Sequence, residues 1–310
     1  MKKVGLVLSG GAAYGLAHVG VIKVLVQNNI PIDYISGTSM GSLIGGLYCA
    51  GMTTDEMEKV LERSTRNMIV DLDIFGLTEG GLLYGKKVVN FLRKLVVKLN
   101  IEDLKIPYCA IAGDIKAGKK YVFKNGDLID AIRASISIPG IFKPVIKDGM
   151  HLVDGGVCDN LPVGEVRNLG AEKVIAVDVC TFYSHEPKLK SVIDVLINSS
   201  NMLVSQMVQA QKDKGDVYIK IDQPNVNAEQ LNYQNSLNAI KNGEEAALKA
   251  LPKIRRMLKI KAPRKSRKFS QLANDMLIAH KEIEQNKNET QQNSRENKFE
   301  NDIEHHDENI

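Results

Sequence analysis

Apolar residues recur along this chain in two ways, as short unbroken runs and as stripes spaced three and four apart, and the alternation of the two predicts strands followed by helices. Val4-Gly5-Leu6-Val7-Leu8 carries no polar residue, the pattern of a strand covered on both faces. After a glycine-rich stretch, Leu16, Val19, Val21, Ile22, Leu25 and Val26 return at helical spacing until Asn28-Asn29. Ile30, Ile32, Tyr34 and Ile35 lead into a second turn, and Leu43, Ile44, Leu47, Tyr48 and Met52 suit the helix behind it. The order strand, glycine loop, helix, strand predicts a crossover and an α/β fold with a mostly parallel central sheet flanked by helices.

The same reading carries through the body. Helices are expected over 53–66, Val88–Leu99, Leu128–Ile136, Leu189–Lys212 and about Ser236–Leu251. Strands are expected at Tyr108–Ala112, Tyr121–Phe123, Leu152–Asp154, Val174–Val179 and Val217–Ile221. Gly76–Gly85 reads as a glycine-rich apolar loop, and Ile141–Val145 as a proline-bounded loop. Residues 1–251 are therefore read as one domain, 252–285 as a basic and amphipathic helical extension, and 286–310 as a disordered polar tail.

Composition allows a sizeable core, with 44% hydrophobic residues in 310. The formal charge of +4 is unevenly spread, since 252–268 holds nine Lys/Arg and no acid. Charge alone allows a solvated face, nucleic acid or anionic lipid there. Cys49, Cys109, Cys158 and Cys180 lie far apart without a C-x-x-C pair and read as reduced buried thiols. The apolar run after Met1-Lys2-Lys3 stops at Leu8, too short for a signal sequence, and no run reaches the roughly 20 residues of a membrane span. The expected location is cytoplasmic, with peripheral membrane contact left open.

Three stretches carry chemistry. Gly37-Thr38-Ser39-Met40-Gly41 fits the G-x-S-x-G turn that lifts a serine out between a strand and a helix. Ser9-Gly10-Gly11-Ala12-Ala13-Tyr14-Gly15 opens a helix, where successive amides can hold a negative oxygen. It is a poor nucleotide loop: Leu16 and Ala17 stand where a P-loop needs Lys and Ser/Thr, and Ala12 replaces the third dinucleotide-fingerprint position. Asp154-Gly155-Gly156 puts a carboxylate just beyond a strand.

These stretches, with Ala134-Ser135-Ile136-Ser137-Ile138-Pro139-Gly140, Asn160 and Pro162, resemble the patatin-like phospholipases in order and spacing over about 3–222. The resemblance implies a three-layer α/β fold and a serine lipid acyl hydrolase acting on phospholipid or other acyl esters, with neither cofactor nor metal. It implies Ser39 as nucleophile, Asp154 as its dyad partner, and Gly10, Gly11 and Ala12 as the oxyanion loop. The chain departs from the family where Ala12 stands for a third glycine and Tyr14 for a basic residue. Those departures motivate a rival reading, a patatin-fold lipid-binding or regulatory protein. For a lipolytic chain, anionic lipid is the economical partner for 252–268, at about 1 kcal/mol per basic residue, and nucleic acid is not expected.

A dyad must work without histidine. An ordinary aspartate is roughly three units too acidic for a base at neutral pH, and desolvation by Ile138, Ile141, Phe142 and Val145 would raise it. His18, His151 and His185 are the histidines near enough in the pattern to compete for that role.

Overall fold

The computed structural model describes residues 2–67, 84–96, 99–180, 191–227 and 232–261. Most of the Gly76–Gly85 loop, His185 and the expected tail lie outside the described residues.

The first strand, β1 (Val4–Leu8), is buried along its whole length and feeds a 3₁₀ turn at Ala12–Leu16 and helix α1 (Ala17–Gln27). Next come β2 (Tyr34–Thr38), α2 (Met40–Cys49), α3 (Thr54–Asn67) and α4 (Lys86–Leu95). The chain continues through β3 (Tyr108–Asp114), β4 (Lys119–Phe123), α5 (Leu128–Ser135), β5 (Val145–Lys147) and β6 (Met150–Asp154). It closes with α6 (Val163–Asn168), β7 (Lys173–Asp178), α7 (Val192–Gln211), β8 (Val217–Lys220) and α8 (Tyr233–Leu258).

One sheet holds these strands in the order β5-β6-β3-β2-β1-β7-β8, with β4 also on β3. The run from β3 to β8 is parallel, whereas β4, β5 and β6 pair antiparallel. Side chains alternate across the sheet. Leu6, Leu8, Ile175 and Val177 point into a core shared with α1 and α8, and Val7, Val174 and Ala176 into a second core with Val166 of α6 and Val204 of α7. The period-2 pleat thus serves two apolar layers, the three-layer α/β arrangement expected from sequence.

Two differences have local causes. Val145–Lys147 is a strand rather than part of a loop, because Asp148 and Gly149 take φ of 49° and 77° and turn it back onto β6 as a two-residue hairpin. Helix α8 does not stop at Leu251 but runs through Pro252 to Leu258. A proline inside a helix costs about 3 kcal/mol. Here buried Ile254 and the Arg255 side chain, which donates to the Asn28 side-chain oxygen Oδ1 at 2.7 Å, hold the last two turns against the body.

The placement of β6 matters for the site. Ala110 and Ile111 of β3 pair with β2 on one edge and β4 on the other. Ala112 pairs with Tyr121 of β4 and with Asp154 of β6, so β6 lies on the edge that β2 has just vacated. Thr38 faces Ile111 and Asp154 faces Ala112. Two strands therefore meet end to end along β3, one delivering Ser39 and the other Asp154.

Candidate active site

Ser39 sits at the amino end of α2 with φ 53° and ψ −126°, a conformation that costs a non-glycine residue on the order of 1–3 kcal/mol. The surroundings hold it there. Its amide donates to Ser135 Oγ at 3.0 Å, Ser135 Oγ donates to the Ile111 carbonyl at 2.6 Å, and Ser42 Oγ donates to the Ser39 carbonyl at 2.7 Å. Thr38 Oγ1 ties the end of β2 to the Asp159 carbonyl at 2.7 Å. A Cβ on Gly37 would lie 2.5 Å from the Gly41 carbonyl oxygen, and one on Gly41 would lie 2.2 Å from that of Leu8. Both glycines of the turn are thus required by close backbone approach.

The Ser39 hydroxyl lies close enough to the Asp154 carboxylate to pull its pKa down. Asp154 also accepts from the Gly156 amide at 2.7 Å and, through its own amide, is pinned to the Ser137 carbonyl at 2.8 Å. Burial pushes its pKa up to about 6, against the opposing pull of the Ser39 hydroxyl and the Gly156 amide.

The glycine loop runs directly beside Ser39, since a Cβ on Gly10 would be 3.0 Å from Ser39 Cβ. Its three amides are not equivalent. That of Gly10 donates to the Asn160 carbonyl at 3.4 Å, whereas those of Gly11 and Ala12, at the start of the 3₁₀ turn, have no acceptor among the described residues. Ala12 has φ 48°, so the residue replacing a glycine occupies the left-handed region that glycine favours. The Gly10 carbonyl is clamped in turn by the Cys180 thiol at 3.1 Å and by Asn160 Nδ2 at 3.5 Å. Tyr14 is buried, and its carbonyl accepts from Gln223 Nε2 at 3.1 Å.

From Ser39 a cavity of about 190 Å³ extends between α2, α3 and α4. Among the described residues, Ser39 is the only polar one lining it, with walls that include Leu16, Leu43, Met57, Phe91, Leu95, Ile138 and Phe142. Such a cavity accepts an alkyl chain and excludes water from the hydroxyl's apolar side.

The described histidines stand elsewhere. His18 is fully buried on α1, with Nε2 2.8 Å from the Ser9 carbonyl; a carbonyl only accepts, so Nε2 carries the proton. Burial lowers its pKa to about 4. His151 lines a different pocket, and His185 is outside the described residues. Ser135 fixes the Ser39 backbone without any sequence signal of its own beyond its place in the Ala134–Gly140 motif, since a small hydroxyl at the end of a helix carries no periodic pattern.

The profile of the family described as patatin-like phospholipase matches residues 6–167, just over half of the chain. The chain belongs to that family. Membership supports a lipid hydrolase at the level of the family. An uncharacterized NTE family protein of Mycobacterium tuberculosis is 40% identical over 177 residues, 57% of this chain and 49% of the relative. Neuropathy target esterase sws of Drosophila melanogaster is 36% identical over 183 residues, 57% of this chain and 13% of the relative. The chain thus spans half or less of the length of these relatives. Among solved structures, VipD from Legionella pneumophila is similar at a TM-score of 0.46 and 15% identity, covering 81% of this chain and 66% of that one. Among the described residues no helix is long and apolar enough to cross a membrane.

Proposed function

We propose that the chain hydrolyses acyl esters of lipids, with Ser39 as nucleophile and Asp154 as general base. The observation that supports this best is the pairing of a serine on a strained backbone with a buried carboxylate beside a cavity whose other described lining residues are all apolar. Asp154 takes the hydroxyl proton as Ser39 Oγ bonds to the ester carbonyl carbon, and the carbonyl electron pair moves onto its oxygen. The Gly11 and Ala12 amides hold that oxyanion, while Gly10 keeps the loop against Ser39. Collapse of the intermediate breaks the ester bond, and the alcohol leaves with the proton from Asp154. Water, deprotonated by Asp154, then attacks the acyl-enzyme; the fatty acid departs and Ser39 recovers its proton.

A base with pKa about 6 is largely ionised at neutral pH yet two units more basic than an ordinary aspartate. That removes much of the need for histidine. The test is turnover of p-nitrophenyl esters of increasing chain length, with fluorophosphonate labelling. Wild type is expected to label and turn over, and Ser39→Ala to do neither. Full labelling and turnover in Ser39→Ala would remove Ser39 from the mechanism, and an unlabelled, inactive wild type that still binds lipid would favour the non-enzymatic reading.

A further inference from the structure

We propose that a second pocket, on the other face of α4 from the apolar cavity, binds a phosphate-type oxyanion. Val88, Phe91, Leu92 and Leu95 turn one face of this helix to the cavity at Ser39, while Lys86, Val89 and Asn90 turn another to a cavity of about 730 Å³. Among the described residues, those lining the second cavity include Lys86, Arg133, Lys143 and His151 and no carboxylate.

Arg133 is the strongest sign. It is only 6% exposed, and its guanidinium donates to Ser137 Oγ and to the carbonyls of Tyr84 at 3.0 Å and Lys143 at 3.3 Å, all neutral acceptors. It lies 4.9 Å from the centre of the Phe142 ring. Burial lowers its pKa, and no neighbouring acid raises it again. Buried charges are ordinarily paired, and among the described residues this one has no counterion.

Further cations are gathered beside it. Lys143 Nζ lies 3.8 Å and Lys86 Nζ 5.8 Å from the Tyr84 ring centre, and Lys143, followed by Lys86, draws the Tyr84 phenol pKa down. Helix α4 begins here at Gly85 with no side-chain cap, no acid in its first turn, and lysines at its first two positions, which oppose the helix dipole. His151 Nδ1 is buried without a partner. One multiply charged oxyanion would answer all four features: the unpaired guanidinium, the crowded lysines, the uncapped amides and the orphaned imidazole nitrogen. At about 730 Å³ the cavity has room for a phosphate that carries an organic substituent, so both a lipid headgroup and a free phosphate fit this chemistry.

The inference does not rest on hydrolysis, and its test uses the full chain carrying Ser39→Ala so that no ester is consumed. Calorimetry with inorganic phosphate and with glycerol 3-phosphate measures the site directly. Vesicle flotation, comparing phosphatidylcholine with phosphatidylcholine plus phosphatidic acid, separates the sources. Lys86→Glu with Lys143→Glu reverses two partly exposed charges and spares Arg133, with thermal unfolding as the check on folding. Saturable phosphate binding, weakened about tenfold or more by the double substitution, is expected. If flotation on phosphatidic acid falls in parallel, the ligand is a headgroup; if it does not change, it is free phosphate. Lys253→Glu in the basic segment is the control for nonspecific attraction and should leave calorimetric binding unchanged. The proposal is overturned if no saturable binding occurs up to about 10 mM of either soluble anion, or if a folded double variant binds both as tightly as its parent.

Discussion

Asp154 and Asp216 are carboxylates on one sheet, and they are treated in opposite ways. Asp216, just before β8, forms ion pairs with Lys173 and with Arg167 at 3.1 Å, and accepts from the Val174 amide at 2.9 Å. Burial pushes its pKa up, but these partners outweigh burial and hold it below the ordinary aspartate range. Asp154 is more deeply buried and, among the described residues, is opposed only by the Ser39 hydroxyl and the Gly156 amide and by no cation, so burial wins. The backbone shows no such split, since Ser39 and Ala12 are held at positive φ in the site but Asn29, Asp148 and Lys259 take positive φ elsewhere. At Asp216 the scaffold neutralises its carboxylate, whereas Asp154 is left without a cation among the described residues, as a base for Ser39 would require.

The strongest attack on this contrast is Asp154→Asn. Ester turnover is expected to fall about 10³-fold or more, because the amide cannot take the Ser39 proton. The fold should gain stability by about 1–3 kcal/mol at pH 8. The sign follows from the folded pKa of about 6 lying above the model value of 3.8. Native Asp154 contributes its full stability below that lower value and loses it as pH rises through the folded pKa. The difference in unfolding free energy between variant and wild type should therefore be flat in acid, climb between about pH 4 and 6, and level off. His18 has the opposite linkage, its folded pKa of about 4 making it destabilising as pH falls, but it is present in both proteins and cancels. A stability difference independent of pH would show that Asp154 is not buried as a strained base.

Next in size is the pH profile of wild-type turnover. With Asp154 as base, kcat/KM should fall tenfold per unit as pH drops below about 6, and be level above it until another group intervenes. A limb near the ordinary aspartate value would mean that substrate or solvent restores a normal carboxylate.

Asp216→Asn probes the other side of the contrast. It strips Lys173 and Arg167 of their shared acceptor at a side chain 18% exposed, and is expected to cost about 1–2 kcal/mol. Turnover should stay within about twofold after allowing for the unfolded fraction. Denaturant unfolding and ester kinetics on the same preparation decide it.

Much of this contrast could be read along the chain, and the part that could not is physically specific. The buried strand Val4–Leu8 has one side chain type on both faces, and the Ser39 turn needs glycines at fixed offsets, so both leave a local pattern. Asp154 is legible for the same reason. The hairpin at Asp148-Gly149 did leave a signal, an Asp-Gly pair, but Val145–Lys147 is too short and too polar to show a strand period. Past Pro252, local propensity points to a stop and the buried side of Ile254 overrides it. The basic pocket leaves no pattern at all, since Lys86, Arg133, Lys143 and His151 arrive from separate segments and meet only through the fold.

The smallest expected effect tests whether the site's strain extends beyond the serine to the loop beside it. Ala12 sits at φ 48°, where a residue with a Cβ is disfavoured by about 1–2 kcal/mol. Ala12→Gly removes that cost in the folded chain and adds back part of it as freedom in the unfolded one, so a net gain of about 0.5–1 kcal/mol is expected. The Ala12 amide remains, and turnover should change less than threefold if the amide rather than the methyl matters to the oxyanion. A loss of stability would mean that the Ala12 methyl, at the wall of the apolar cavity, contributes more by packing than its backbone angle costs.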